Sequence, residues 1–96
     1  MILSFGDSAT EDLYHNRPTN QVRRFSPNII PAALRNLDMI AAAQALMDLR
    51  APPGNRLEVL KGEGEGFFSI LINDQWRVAF RWENNGASQV AIVDYH

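Results

Sequence analysis

The sequence contains no cysteine, which excludes disulfides, thiol catalysis and thiolate-bound metals. It lacks the basic start and apolar stretch of a signal peptide, and its longest apolar run, residues 39–43, is far too short to span a membrane. Positive charge is also scarce, since nine Lys and Arg face eleven Asp and Glu, for a net charge of −2. We therefore expect a cytoplasmic protein without a membrane anchor, in which any RNA site is a local patch.

The 96 residues are expected to form a single domain, 1–96, which is long enough to bury one core. Its first part shows helical patterns. A short apolar strand at residues 2–5 precedes a brief helix through Tyr14, for which Ser8 and Glu11 form a capping box. The polar segment 16–27 predicts a loop whose basic tip carries Arg23 and Arg24.

A longer helix is predicted over residues 29–43, with Asn28 as its N-cap and Pro31 in its first turn. A short helical segment around residues 45–49 follows. Apolar residues recur at helical spacing along this stretch, so one side should pack against a sheet: Ala33, Leu37, Ile40 and Met47. Two prolines and a glycine at residues 52–54 end the helical part.

The second part of the chain changes to strand-like patterns. Four short, apolar-rich segments are separated by Gly, Asn or Asp, which predicts an antiparallel meander: residues 56–60, 67–72, 75–82 and 89–93. The predicted fold class is therefore α+β, with N-terminal helices packed on a small antiparallel sheet.

Alternation along residues 75–82 separates an aromatic face from a polar one. The core-facing set is Trp76, Val78, Phe80 and Trp82, and the opposite set is Gln75, Arg77, Ala79 and Arg81. The two arginines have planar, permanently charged donors that suit a phosphate. The alternative interpretation is that both are solvated on an open sheet face.

Polar side chains also stand at the end of the last apolar strand. Asp94, Tyr95 and His96 follow it directly, and histidine is the side chain whose ordinary pKa lies nearest neutrality. Glu58 and Lys61 lie on the first strand of the meander and at its exit. If the meander brings these groups together, they supply a base, an acid and cations for metal-free RNA cleavage. The alternative is a frayed terminus and ordinary surface charges.

Several motifs together resemble the HigB branch of the RelE/ParE-type bacterial toxins, over essentially the whole chain. They are Gly-Asn-Arg-Leu-Glu-Val-Leu-Lys-Gly at 54–62, Ser-Ile at 69–70, Asn-Asp-Gln-Trp-Arg at 73–77, Phe-Arg-Trp at 80–82 and Val-Asp-Tyr-His at 93–96.

The resemblance implies an mRNA interferase that depends on the ribosome. Such toxins cut codons in the ribosomal A site by attack of the ribose 2′-oxygen, without a metal or other cofactor. The implied partners are the ribosome, mRNA and a cognate HigA-like helix-turn-helix antitoxin, with DNA contacted only through that antitoxin. Bacterial cytoplasm is the implied location.

The resemblance also implies roles for individual residues. Catalytic or RNA-binding positions of the family fall on Lys61, Arg77, Asp94, Tyr95 and His96. Where the HigB pattern has a histidine, this chain has a glutamate at position 58. By analogy with the related YoeB-type toxins, that glutamate is the base and the terminal histidine is the acid. The alternative is that residue 58 is a solvated strand residue and the terminal tyrosine or histidine takes the proton.

A second departure from the family is the acidic balance of the chain. Glu63 and Glu65 follow the lysine at 61, where relatives often carry basic residues. RNA binding would then rest on a few arginines: Arg23, Arg24, Arg77 and Arg81. Two rival interpretations stay open, namely a ParE-like toxin that inhibits DNA gyrase without cutting, and an attenuated toxin kept as an antitoxin-binding partner.

Overall fold

Two helices pack against a four-stranded antiparallel sheet in a computed structural model that describes residues 1–62 and 65–94. The helices are α1 (Ser8–Tyr14) and α2 (Ile30–Ala42). The strands are β1 (Glu58–Val59), β2 (Phe68–Leu71), β3 (Trp76–Glu83) and β4 (Gly86–Asp94). Short 3-10 turns occupy Asn20–Arg24, Pro27–Ile29, Leu46–Leu49 and Pro53–Asn55. The predicted α+β class is confirmed.

The strands run in the order β1-β2-β3-β4, so the predicted meander is also confirmed. The first strand is shorter than predicted, with only two residues paired to β2. The predicted strand at residues 2–5 forms no strand of its own. Instead Ile2 and Phe5 make single parallel bridges to β4 and cover part of its outer edge.

Both helices begin differently from the prediction. The N-cap of α1 is Asp7 rather than Ser8, and its carboxylate accepts a hydrogen bond of 2.7 Å from the Thr10 N–H. Aspartate and serine are both good caps, but Asp7 has the extended backbone that a cap requires. Asn28 does not cap α2 either, because it lies inside a 3-10 turn that runs straight into the helix. Pro31 does stand in the first turn, as expected.

The core lies between α2 and the helix-facing side of the sheet. Helical spacing correctly identified Ala33, Leu37 and Ile40, all fully buried. Met47 was predicted wrongly, because the helix ends before it and leaves its side chain 62% exposed. Among the described residues, no helix has the length and apolar character needed to cross a membrane.

A hydrogen bond from β4 to α1 fixes the strand that leads to the C-terminal residues. The backbone N–H of Ile92 donates to Thr10 Oγ1 at 2.9 Å, and both residues are buried. Upstream, β4 carries a bulge at Gln89, which has a left-handed φ of 53°. Beyond the bulge the register is regular, so the position of Asp94 follows from its pairing with Trp76.

Candidate active site

The face of the sheet that points away from the helices brings Glu58 and Arg77 together. Glu58 pairs with Ser69, and Ser69 pairs in turn with Ala79 on β3. Directly opposed residues of antiparallel strands project to the same face, and Arg77 is two residues from Ala79 on that face. The Arg77 Nη2 and Glu58 Oε2 atoms are 3.7 Å apart. Two of the predicted catalytic residues are therefore neighbours.

Arg77 is not the solvated arginine of the alternative interpretation. It is only 6% exposed. Its Nε donates to Ser69 Oγ at 2.7 Å, and its Nη2 donates to the Arg56 carbonyl at 2.8 Å and to the Ser69 carbonyl at 3.5 Å. The side chain therefore lies across β2 and reaches the start of β1. Glu58, in contrast, keeps 55% of its side chain exposed and is open to a ligand.

The backbone that enters β1 is held in an uncommon conformation. Arg56 has a left-handed φ of 45°, a region that non-glycine residues seldom occupy. Just before it, the buried Asn55 donates from Nδ2 to the Leu49 carbonyl at 3.0 Å. The bond from Arg77 to the Arg56 carbonyl fixes the other side of the same peptide segment. Together these bonds define where β1, and with it Glu58, begins.

Lys61 and Arg81 extend this face in other directions. Lys61 is exposed and follows β1, whose last ladder bond runs from the Leu60 N–H to the Phe67 carbonyl at 2.8 Å. The Arg81 guanidinium carbon lies 5.1 Å from the centre of the Phe67 ring. It also lies close to Gly66, where a Cβ atom would stand 2.9 Å from Arg81 Nη2. The side chains of Arg77 and Arg81, both on β3, therefore contact different partners.

Asp94 projects to the other face of the sheet from Arg77. It pairs with Trp76, whereas Arg77 pairs with Val93. The Asp94 carboxylate accepts a hydrogen bond from Gln75 Nε2 at 3.0 Å. At that position it lines a groove of about 350 Å³ together with Trp76 and Arg24. Asp94 and Arg24 thus line the same groove, whereas the Glu58 side chain projects from the opposite face of the sheet.

The two arginines of the predicted basic tip have different surroundings. Arg24 donates to the Asp7 carboxylate at 2.8 Å and stacks on Phe25, with its guanidinium carbon 5.2 Å from the ring centre. Arg23 lines a separate, mainly apolar groove of about 340 Å³ beside Val22 and Ile30. Neither is part of the Glu58 and Arg77 cluster.

Tyr95 and His96, the other two predicted catalytic residues, lie outside the described residues. Within residues 1–62 and 65–94, no three His, Asp or Glu side chains are grouped so that they could hold a metal ion. Sequence reasoning gave no role to Ser69 or to the Arg56 carbonyl, although both contact the Arg77 guanidinium. The sequence did carry a signal for Ser69, because it is a polar residue within an otherwise apolar strand.

Comparison with known proteins identifies relatives over the whole chain. Residues 3–96 match the family model described as RelE-like toxin of type II toxin-antitoxin system HigB. Toxin HigB-1 of Vibrio cholerae is 43% identical over 97 residues, which covers 100% of this chain and 98% of that protein. An uncharacterized protein of Haemophilus influenzae is 41% identical over 58 residues, 60% of this chain and 57% of that protein. Endoribonuclease HigB of Proteus vulgaris is 39% identical over 41 residues, 43% of this chain and 45% of that protein.

Proposed function

Because the chain belongs to the HigB-like family of type II toxin-antitoxin toxins, we propose that it is an endoribonuclease that cuts translated mRNA on the ribosome. Family membership implies a cognate antitoxin, for which we propose a HigA-like helix-turn-helix protein that alone contacts DNA. The name Endoribonuclease HigB on a partial relative supports the activity. The proposal places the protein in the bacterial cytoplasm, where mRNA is translated.

The observation that carries the proposal is the pairing of Glu58 with Arg77 on the open sheet face. An exposed carboxylate next to a buried, immobilised guanidinium offers a proton acceptor beside a fixed positive charge. Lys61 leaves β1 three residues later and supplies a second, mobile cation. A ribose 2′-hydroxyl and its adjacent phosphate need these two kinds of group at neighbouring positions.

The proposed reaction is a transfer within the RNA chain. The 2′-oxygen attacks phosphorus while Glu58 takes its proton, and Lys61 and Arg77 stabilise the charge on the phosphate oxygens. The bond from phosphorus to the 5′-oxygen then breaks, and His96 gives that oxygen a proton. The products are a 2′,3′-cyclic phosphate and a 5′-hydroxyl end. Water is not a reactant in this step, because the attacking and the departing oxygen both belong to the RNA chain.

An alternative assignment of the base stays part of the proposal. In it one of Tyr95 and His96 takes the 2′-proton, the other gives a proton to the departing 5′-oxygen, and Glu58 is a solvated strand residue. Under either assignment Asp94 and Arg24 lie at the edge of the sheet, away from the cleaved phosphate, and Arg24 stays paired with Asp7.

The proposal is tested by adding purified protein to a reconstituted translation reaction and mapping the new RNA ends. Cleavage by 2′-oxygen attack leaves 5′-hydroxyl ends, which are ligated to an adaptor only after phosphorylation by a kinase. We expect codon-phased cuts that require ribosomes, and their loss in Lys61→Ala and Glu58→Gln. Glu83→Gln is the matched control, because that carboxylate is exposed at the far end of β3.

Negative results in that experiment, and in parallel expression of the chain in bacterial cells, would indicate different kinds of protein. A folded chain that makes no codon-phased cuts would contradict the nuclease assignment. Double-strand DNA breaks with intact mRNA would indicate a gyrase inhibitor, and tight antitoxin binding without growth arrest would indicate an attenuated toxin. Full activity in Glu58→Gln together with loss in His96→Gln would transfer the role of base to the terminal residues.

A further inference from the structure

Ser69 is a fully buried hydroxyl between the two charged residues of the candidate site. It pairs with Glu58 on β1, and its Oγ accepts the 2.7 Å hydrogen bond from Arg77 Nε. Its own carbonyl accepts a longer bond of 3.5 Å from Arg77 Nη2. Two N–H groups of the guanidinium are thereby bonded to one residue, on the strand next to β1.

This arrangement determines what the rest of the guanidinium can reach. With Nε directed at Ser69, the Nη2 end is directed toward β1, where it meets the Arg56 carbonyl at 2.8 Å and Glu58 at 3.7 Å. A guanidinium is a planar fork, so fixing one edge fixes the direction of the others. The Arg56 carbonyl belongs to a residue with left-handed φ, and such backbone persists only where its surroundings hold it.

The bond from Arg77 stabilises β1, which is the most weakly paired strand of the sheet. Among residues 1–62 and 65–94, two residue pairs and the bond from the Leu60 N–H join β1 to β2. Such short edge strands open locally more readily than central strands do. The bond from Arg77 to the Arg56 carbonyl is a side-chain tie that adds to this ladder.

We propose that Ser69 is a positioning residue for the cleavage reaction, which orients Arg77 and thereby holds β1 and the Glu58 carboxylate in place. Ser69 does not touch RNA, because it is completely buried. The proposal rests on the proposed ribonuclease function for its kinetic consequence, but its structural consequence is independent of that function.

The test compares three variants of the full chain in single-turnover cleavage and in amide hydrogen exchange. Ser69→Ala removes the acceptor, and Ser69→Thr keeps a hydroxyl at the same position. Ser88→Ala is the matched control, since Ser88 is also buried in the sheet but its Oγ has no hydrogen-bond partner among the described residues.

We expect Ser69→Ala to slow the cleavage step on the order of ten- to a hundredfold, with little change in the protein concentration that gives half-maximal rate. Ser69→Thr should restore most of the rate, and Ser88→Ala should cut like the parent chain. In Ser69→Ala the Leu60 amide should exchange faster, while the Ile92 amide, which bonds to Thr10 on the other side of the sheet, should keep its protection.

Equal cleavage rates in Ser69→Ala and Ser88→Ala would overturn the proposal. Equal acceleration of exchange at Leu60 and Ile92 would also overturn it, because Ser69 would then stabilise only the whole fold. If the parent chain cuts no RNA, the proposed function fails, and the selective exchange at Leu60 alone decides whether Ser69 positions β1. If Ser69→Thr does not fold, the comparison of the two alanine variants decides.

Discussion

The bond between Thr10 and Ile92 gives the sharpest stability prediction for this fold. Thr10 is fully buried, and its Oγ1 is the acceptor for the Ile92 N–H at 2.9 Å. Thr10→Val keeps the shape of the side chain but leaves that N–H buried without its acceptor. The cost of an unsatisfied buried donor is about 1–3 kcal/mol.

A loss of about 2 kcal/mol corresponds to a lower Tm by about 8–16 °C, since 1 kcal/mol moves Tm by about 4–8 °C in a domain of this size. Thr10→Ser is the matched control, because it keeps the hydroxyl and loses one methyl group, which is worth about 0.8 kcal/mol. We therefore expect Thr10→Ser to unfold at a temperature between those of the parent and Thr10→Val.

The assay is thermal unfolding followed by circular dichroism, with amide exchange at Ile92 as the local readout. Thr10→Val should expose that amide to exchange far more than Thr10→Ser does. A valine variant as stable as the parent would show that Ile92 finds another acceptor, and the role of this bond in holding β4 would then be refuted. A serine variant less stable than the valine variant would show that the methyl group matters more than the hydrogen bond.

Three further substitutions test other parts of the fold by thermal unfolding. Gly6→Ala should destabilise the domain by about 1–3 kcal/mol, because its Cβ would stand 2.9 Å from a backbone carbonyl of β4, whereas Gly54→Ala meets no atom within 4 Å and should unfold like the parent. Asp7→Ala should cost about 1 kcal/mol through loss of the α1 cap, and Asp7→Ser should recover most of that loss if capping outweighs the exposed ion pair. Asn55→Ala should cost about 1–3 kcal/mol, because a buried carbonyl loses its donor, and an unchanged Tm would contradict that estimate.

The sheet could be predicted from the sequence because its strands alternate and its turns carry Asn, Asp or Gly. β3 and β4 were located to within a few residues for that reason. β1 was overestimated, since the apolar pattern at residues 56–60 does not reveal that Arg56 takes a left-handed conformation and cannot continue a strand. Met47 was misassigned for a similar reason, because helical spacing does not show that the backbone changes to a 3-10 turn.

The sequence predicts on which face of a sheet a side chain lies more readily than it predicts how deeply that side chain is buried. Alternation placed Arg77 correctly on the face away from the core, but it could not show that the arginine is buried there. That burial depends on the small side chains of Ser69 on β2 and Ala79 on β3 itself, whose pairing is known only from the register. The position of Asp94 likewise depends on the register beyond the β4 bulge, which places it on the side opposite Arg77.

If the proposed RNA site is one local patch, the pairing of charges on this acidic chain predicts the salt dependence of RNA binding. Arg24 is bound to an aspartate at 2.8 Å on the helix side, whereas Lys61, Arg77 and Arg81 surround the open face. If three cations at most contact phosphates, the logarithm of the binding constant for a short single-stranded RNA should fall with the logarithm of salt concentration with a slope no steeper than about −2. Titration of a fluorescent RNA at increasing salt measures this slope. A slope near about −3.5 would mean that five phosphates are contacted, and Arg23 and Arg24 would then have to join the RNA site, with Arg24 leaving Asp7.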